Sequence, residues 1–415
     1  MISYLGRKIA TMDDANFSRK KVLLRVDLNS PVDPKTGSLL DVSRIVEHSA
    51  TVRELVERGA AVVVMSHQGR PLDSDYVSLA PHAEALSKAI GQEVKFVEDI
   101  AGPAARAAVE RAEPGEVVML DNTRFMAEDN VEAPPEKHAD SVLVSRLSPL
   151  FSYFVNDAFA TSHRSQATIV GFPLRLPSFA GRVMERELRA LNRVVEMPDR
   201  PKVFVLGGAK LDDTYKVVKH VVQSGIADEV LTGGLVAVMF LMAKGVEVPK
   251  EVAARVMTKI PPELFHEAKE FVRKHDNVVT PHDFAVETKE GVTVSDAHRI
   301  VGAPKDIGPA TVERYKESIM KAKIVVMRGP AGVIEDPRFR AGTEALVRTA
   351  LESSAFTVFG GGHFISMAAS LPREERARIG HISTGGGALL YFLAGNVLPG
   401  LEALARSSEK FKLSA

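Results

Sequence analysis

Four points in the first half of the chain carry arginine or histidine directly after a short apolar run. They are Arg25-Val26-Asp27-Leu28-Asn29-Ser30-Pro31, then Ser66-His67-Gln68-Gly69-Arg70-Pro71, then Asp121-Asn122-Thr123-Arg124-Phe125. The last is Asn156-Asp157-Ala158-Phe159, running on to Ser162-His163-Arg164. Strand alternation puts Arg25, Asp27 and Asn29 on one face, and Pro31 ends the strand. A helix starting near Ser43 carries Arg44 in its first turn, where a cation opposes the helix dipole. An anion beside Arg44 would remove that conflict. One such arginine alone would read as a surface or ion-pair residue. Four strand ends delivering Arg or His to one edge describe a pocket for a small, multiply charged anion. The guanidinium fork matches phosphate and carboxylate oxygens bidentately. At an effective dielectric near 20, each pair at about 4 Å contributes on the order of 4 kcal/mol before desolvation.

The second half offers glycines at the equivalent places: Gly207-Gly208-Ala209-Lys210, Thr232-Gly233-Gly234-Leu235, Arg328-Gly329-Pro330-Ala331-Gly332, Gly360-Gly361-Gly362-His363 and Thr384-Gly385-Gly386-Gly387-Ala388. Glycine between a strand and a helix lets backbone N–H groups approach a phosphate at the helix N-terminus. One such loop could be an ordinary tight turn. Five in one half, one carrying Lys210, read as a nucleotide site. No stretch fits G-x-x-x-x-G-K-[ST], and no loop completes G-x-G-x-x-G after a strand with an acid about 20 residues on. A Walker-type NTPase and a Rossmann dehydrogenase are both disfavoured.

The elements that must hold these groups are legible as continuous β-branched runs. They are Lys21–Val26, Ala61–Met65, Glu116–Leu120, Ser152–Val155, Lys202–Leu206, Glu229–Leu231, Ile324–Met327 and Phe356–Phe359. Continuity rather than alternation suits strands buried on both faces of a parallel sheet. Helix-period stretches lie between them, at Ser43–Arg58, Ala80–Ile90, Pro103–Arg111, Pro135–Leu147, Asp213–Ser224 and Gly342–Glu352. The expected fold is therefore α/β, with two doubly wound, Rossmann-like parallel-sheet domains. The amphipathic segment Arg182–Met197 stops at Pro198-Asp199-Arg200-Pro201 and reads as the connector helix between them. The alternative is that this helix belongs wholly to one domain. In open sheets of this kind ligands bind outside the carboxyl ends of the strands, where the Arg/His and glycine segments fall.

The chain has 415 residues, past the roughly 250–300 at which single cores stop growing. Lys plus Arg and Asp plus Glu number 53 each. This balance disfavours a nucleic-acid or polybasic membrane partner, so any anion site must be a local cluster. The absence of cysteine rules out disulfides, zinc thiolates and thiol nucleophiles. No apolar run reaches the roughly 18–20 residues of a membrane span, and no secretory leader is visible. The expected setting is cytoplasmic. Absent Cys and Trp with only four Gln fit the depletion of thermolabile side chains in thermophiles.

With these segments in order, VLLRVDLNSP, SRIVEH, SHQGRP, LDNTRF, NDAFATSHR, LGGAKLDD, TGG, RGPAGVIE and HISTGGGA, the chain resembles phosphoglycerate kinase from about Lys20 to Leu404. The resemblance implies a 3-phosphoglycerate pocket of Asp27, Asn29, Arg44, His67, Arg70, Arg124 and Arg164. Arg44 would lie nearest the transferring group and, with Lys210, would be catalytic. Gly208, Gly233, Gly234 and Leu235 would line the adenine and phosphate pocket, and Glu335 would accept the ribose hydroxyls. Gly361, Gly362 and His363, with Ser383, Thr384, Gly385 and Gly386, would hold phosphates at helix N-termini.

The implied division is residues 1–183 for the acid-binding domain, 184–198 for the connector and 199–400 for the nucleotide domain, with 401–415 returning to the first. The implied partners are ATP/ADP and 3-phosphoglycerate/1,3-bisphosphoglycerate. A monomer is expected, with a homodimer as the alternative. The chain is similar to the archaeal branch of the family where it departs from better-known members. The second lysine, four residues after the first, is Thr214, with Lys216 nearby as a substitute. The asparagine before Gly-Pro is Arg328, and the aspartate of Gly-Gly-Gly-Asp-Thr is His363. Imidazole suits Mg²⁺ poorly, so the implied Mg²⁺ would be held mainly through the nucleotide phosphates, with no protein metal ligand assigned.

The implied nucleophile is a carboxylate, already ionised at neutral pH, so no general base is needed. His67 is then assigned to substrate binding, and His163 to substrate binding or to a structural hydrogen bond. Acid on one domain and nucleotide on the other imply hinge closure, with Arg182–Met197 and Leu389–Leu404 as hinge elements. The rival of a different class is a non-catalytic two-lobed binding protein using the same basic pocket. Lys210 and the glycine loops argue against it, since a binder needs one ligand site.

Overall fold

The computed structural model describes residues 1–413; Ser414 and Ala415, the end of the expected tail, lie outside the described residues. The strands run in chain order as β1 (Ile2–Tyr4), β2 (Arg7–Ile9), β3 (Lys21–Arg25), β4 (Ala61–Met65), β5 (Val94–Val97), β6 (Val117–Leu120), β7 (Tyr153–Asn156) and β8 (Ser178–Ala180). They continue as β9 (Lys202–Leu206), β10 (Glu229–Thr232), β11 (Val278–Val279), β12 (Asp283–Thr288), β13 (Gly291–Asp296), β14 (Ala303–Ile307), β15 (Ile324–Arg328), β16 (Phe356–Gly360) and β17 (His381–Ser383). All eight apolar runs form strands. Two six-stranded sheets result, in the orders β5-β6-β4-β3-β7-β8 and β11-β10-β9-β15-β16-β17. Every pairing within them is parallel. The fold is two parallel sheets with flanking helices, as the sequence pattern implies.

Burial explains why the runs are continuous. In the first sheet Val22, Leu24, Val62 and Val64 face one apolar cluster, while Leu23, Ala61, Val63 and Met65 face another. Each strand thus needs apolar side chains at every position. The second sheet packs Val203, Val205, Val325 and Met327 against Tyr315, Ile319 and Leu346 from the helices Pro309–Lys321 and Ala341–Glu352.

Strand order fixes where ligands can sit. The second sheet, numbered within itself in chain order, runs 3-2-1-4-5-6, and the chain reverses direction between β9 and β15. In the first sheet the reversal lies between β3 and β7. At such a switch point the two following loops diverge and leave a crevice at the carboxyl edge.

The chain divides into two compact units, residues 1–189 with 397–415, and residues 190–396. The division falls inside the helix Arg182–Glu196 rather than at its ends. The antiparallel sheet β13-β12-β14 and the helix break between Pro135–Ala139 and Val142–Leu147 carry no signal in the sequence pattern. At that break Ser141 caps the second helix, its Oγ accepting from the Val144 N–H.

The first residue of the helix Arg182–Glu196 anchors an ion network. The Arg182 guanidinium donates two bonds to Glu54, at 2.7 and 2.6 Å, and two to Asp13, at 3.0 and 2.6 Å. A fifth goes to Glu185 at 2.6 Å, and Arg58 bridges Asp13 and Glu54 from the other side. Hydrogen bonds from Arg182 hold the Asp13 and Glu54 carboxyls below their ordinary range, against the opposing effect of burial. Arg182→Ala should lower unfolding free energy by about 1–3 kcal/mol in denaturant titration, with an unchanged m-value. The network's contribution is complete above the ordinary carboxylate range, near pH 4, and is lost on acidification. The wild-type and variant stability curves should therefore converge as the pH falls below about 4.

Candidate active site

At the β3/β7 switch point the residue pairs in register are Arg25 with Met65 and Arg25 with Asn156. Arg25 is fully buried, which disfavours its charge and lowers its pKa. Its hydrogen bonds all go to neutral groups: the Thr168 hydroxyl at 3.0 Å, the Val26 carbonyl and Nδ1 of His67 at 3.0 Å. An arginine can only donate, so His67 accepts on Nδ1 and is the neutral imidazole there. Burial first, and then the Arg25 charge, push His67 well below its ordinary value. His163 falls to about 4 for the same kind of reason, burial and then Arg164.

Arg124 is also buried, and it donates to the Gly69 carbonyl. Burial, then Arg164 and Arg25, bring it down to about 10. Arg164 shifts downward by burial too and keeps a buried N–H without a partner, as does the Asn156 amide. Arg70 is exposed on the neighbouring loop. Arg44, in the first turn of the helix Ser43–Glu57, pairs with Asp27. Burial opposes ionisation of Asp27, yet the Arg44 charge, with Arg25 adding to it, outweighs burial and holds the carboxyl below its ordinary value. Three mutually repelling guanidiniums with spare donor capacity need an anion; charge-assisted hydrogen bonds are the strong kind.

The loops carrying these groups are locked by amides, of which Gln68 and Asn122 were passed over by charge-based reasoning. Gln68 makes a reciprocal pair with the Ser30 backbone at 2.9 and 3.0 Å. Asn122 accepts from the Gln68 and Arg124 N–H groups at 3.0 and 3.1 Å and donates to the Gln68 and Val77 carbonyls. Asn29 accepts from the Gly69 N–H at 3.0 Å. Asp27, Asn29, His67, Arg70, Arg124 and Arg164 therefore lie on segments that follow strands of one sheet in the first unit, and Arg44 reaches them from the first turn of its helix through Asp27.

In the second unit the glycine loops divide into two kinds. The N–H groups of Gly207, Gly208, Gly233, Gly234 and Leu235 are taken by carbonyls of Arg328, Pro330, Leu206, Ala331 and Gly208 respectively, at 2.7–3.1 Å. Gly208 and Gly234 have φ of +84° and +56°, and a Cβ on Gly207 or Gly233 would overlap the backbone of Pro330 or Ala331. These glycines pack three loops backbone to backbone and leave a surface without side chains. Their N–H groups are spent. The loops before the helices Gly362–Ser370 and Gly386–Leu393 are different: both helices lack a side-chain cap, and a Cβ on Gly361, Gly362 or Gly386 would meet open space. Ser383 at the end of β17 accepts the Gly385 N–H at 3.2 Å, and Thr384 lies between them.

Lys210 stands at the start of the helix Leu211–Gln223, exposed and without a partner among the described residues. Thr214 is buried, with its hydroxyl unbonded. Lys216 is exposed and paired with Asp212 at 2.7 Å; two positions from Thr214, it lies across the helix and does not share its face. Arg328 ends β15 with a buried, unbonded Nε, its pKa lowered by burial.

Glu335 and His363 touch each other, at 3.1 Å, and both are exposed. One carboxylate and one imidazole do not form an oxygen cage, and no group of three or more potential metal ligands occurs among the described residues. These side chains do not fit a protein-held Mg²⁺.

Comparison with known proteins is decisive. The phosphoglycerate kinase family model matches residues 12–396. The chain is a member of the phosphoglycerate kinase family. It is 52% identical to phosphoglycerate kinase of Aeropyrum pernix, over 99% of both chains, and 45% identical to that of Sulfurisphaera tokodaii, over 98% of both. The crystal structure of phosphoglycerate kinase from Pyrococcus horikoshii superposes with a TM-score of 0.87 at 41% identity, covering 97% of this chain and all of that one. The Coxiella burnetii phosphoglycerate kinase gives 0.82 at 29% identity, covering 96% and 99%. Its activity is thus that of a phosphoglycerate kinase, a phosphotransferase with a carboxyl acceptor. The non-catalytic binding reading and the dehydrogenase reading both lapse. No helix among the described residues is long and apolar enough to cross a membrane.

With His67 and His163 already neutral, 3-phosphoglycerate affinity between pH 6.5 and 8 should follow only the ligand's own phosphate, whose second pKa is about 6. Calorimetric titration across that range checks this. A further midpoint near 6.5 that disappears in His67→Asn would contradict the neutral assignment.

Proposed function

We propose that 3-phosphoglycerate binds at the β3/β7 edge of the first unit and ATP or ADP at the β9/β15 edge of the second. The observation that carries this reading is the guanidinium cluster of buried Arg25 and Arg124 and half-buried Arg164, without carboxylate hydrogen-bond partners among the described residues. Such a cluster suits a ligand with a phosphate and a carboxylate. Asp27, ionised, is the acceptor available to the ligand's hydroxyl, and Asn29, His67 and Arg70 complete the surroundings. Arg44 would exchange Asp27 for the transferring group.

On the nucleotide side, the bare surface formed by Gly208, Gly233, Gly234 and Leu235 suits a flat base. Glu335 offers oxygens to ribose hydroxyls. Gly361, Gly362 and His363, with Ser383, Thr384, Gly385 and Gly386, offer helix N-termini to phosphates. Mg²⁺ enters on this reading with the nucleotide phosphates, and the enzyme acts as a monomer.

The chemistry asks little of proton transfer. The attacking carboxylate is ionised at neutral pH, so Arg44 and Lys210 act by positioning the phosphoryl group and stabilising its charge in flight. Mixing the protein with Mg-ATP and 3-phosphoglycerate in hydroxylamine should yield hydroxamate and ADP together, only when both substrates are present. Lys210→Ala should lower kcat roughly 100–1000-fold. Near-wild-type turnover in that variant would refute the role of Lys210.

With the two ligands on separate units, transfer requires the units to close. The chain crossings at Arg189/Ala190 and Asn396/Val397 are where the backbone would hinge. Small-angle scattering should show a smaller radius of gyration with both ligands bound than with either alone. No change would count against closure.

A further inference from the structure

His48 sits one helical turn after Arg44 and is buried. Its Nε2 accepts the backbone N–H of Asp27 at 3.3 Å, and its Nδ1 lies 2.7 Å from Oδ2 of Asp157. A backbone N–H only donates, so Nε2 carries the lone pair and the ring proton sits on Nδ1, given to Asp157. The other oxygen of Asp157 accepts the N–H groups of Val183, at 2.7 Å, and Met184, at 3.3 Å. These are first-turn donors of the helix Arg182–Glu196. Gly181 is required at this spot because a Cβ would overlap the Asp157 carboxylate. The Asp157 N–H in turn donates to the Arg25 carbonyl at 2.8 Å.

One imidazole therefore joins two things: the peptide of Asp27, and the start of the helix along which the chain passes from the first unit into the second. At its far end that helix is held by buried Lys202 of β9, whose Nζ donates to the Val194 carbonyl at 2.7 Å. A leucine would fill the buried position on the helix Ser43–Glu57 without the cost of desolvating a polar ring. The polar chain fixes a relative register that apolar packing would leave loose.

We propose that His48 is a positioning residue that holds the Asp27–Asn29 segment and the first turn of the helix Arg182–Glu196 in one register, so that the acid-binding segment and the helix move together. The proposal rests on the reading that Asp27 and Arg44 meet the acid substrate.

Two substitutions each keep half of the link. Asparagine at 48 sets an amide N–H where Nδ1 stands, keeping the Asp157 bond and orphaning the Asp27 N–H. Glutamine sets an amide oxygen near the Nε2 position, keeping the Asp27 bond and dropping Asp157. In the full-length enzyme His48→Asn should raise the KM for 3-phosphoglycerate roughly tenfold with kcat nearly unchanged. His48→Gln should leave that KM within about twofold and lower kcat roughly tenfold. Asp157→Asn, which sets a donor against the Nδ1 proton, should resemble His48→Gln. The proposal falls if kcat and KM of all three variants stay within about twofold of wild type. It falls equally if kcat and KM drift together in proportion to lost thermal stability, or if none of the variants folds, since those patterns mark a purely structural residue. Arg44→Ala separates the two levels. An unchanged KM there refutes the acid-site reading itself, whereas a raised KM beside silent His48 variants refutes only the positioning role.

Discussion

Parallel hydrogen-bonded pairing is the constraint on which the remaining structure depends. Because β3 pairs in parallel with both β4 and β7, Arg25, Met65 and Asn156 stand at one level, and the chain beyond each emerges on the same edge. The same holds for Leu206, Arg328 and Gly360 in the second sheet. An antiparallel pairing would send alternate loops to opposite edges and scatter these residues. The requirement is that each connection cross over the sheet, which covers both faces and forces the runs VLL, AVVVM and VFVL to be apolar throughout. Core composition and site location are therefore consequences of one pairing rule.

That rule also gathers like charges. Net charge is zero, yet Arg25, Arg124 and Arg164 repel one another at a single edge, and burial disfavours each of them. The fold accommodates this with neutral acceptors: the Thr168 hydroxyl, the Val26 and Gly69 carbonyls and a deprotonated His67 nitrogen. The Thr168 hydroxyl donates a hydrogen bond to Asp129 at 2.8 Å, which places a negative charge behind the threonine rather than on Arg25 itself. A carboxylate placed directly on Arg25 would be more stabilising locally and would compete with an incoming anion. Arg25, Arg124 and Arg164 are instead left without carboxylate hydrogen-bond partners among the described residues.

The sequence discloses whatever burial writes on both faces of a strand, and little else. The eight inner strands were legible because each has a continuous apolar run, with charged or polar residues only at its ends or as an isolated Thr357. The strands β5, β8, β11 and β17 at or next to the sheet edges are short, and β13 is mostly exposed, so none has a period to detect. Arginines at strand ends were legible through their charge. Gln68, Asn122, His48 and Asp157 were not, because their importance lies in which backbone groups they accept from or donate to, and that depends on loops far apart in sequence. Glycines misled in a specific way. Their spacing suggested N–H groups reaching for phosphate, whereas at Gly207, Gly208, Gly233 and Gly234 the missing Cβ serves the close approach of three loops. Glycine reports that something comes near the backbone, not what it is.

The departures from the family pattern in the second unit become coherent once charge is counted by place. The pattern puts lysines at 210 and 214 and asparagine at 328; this chain has Lys210, Thr214 and Arg328. Thr214 is 2% exposed on the helix Leu211–Gln223, a position where a lysine would have to bury its stem and find an outlet for its ammonium. Arg328 brings its guanidinium from the end of β15 instead, in the strand register that holds Leu206 and Gly360. Lys210 follows β9 and Arg328 ends the neighbouring strand β15, so two cations stand on adjacent strand ends. A guanidinium keeps its proton on burial far more firmly than an ammonium, which suits Arg328 to its largely buried place beside the glycine loops. Lys216, across the helix from Thr214, is paired with Asp212 and exposed.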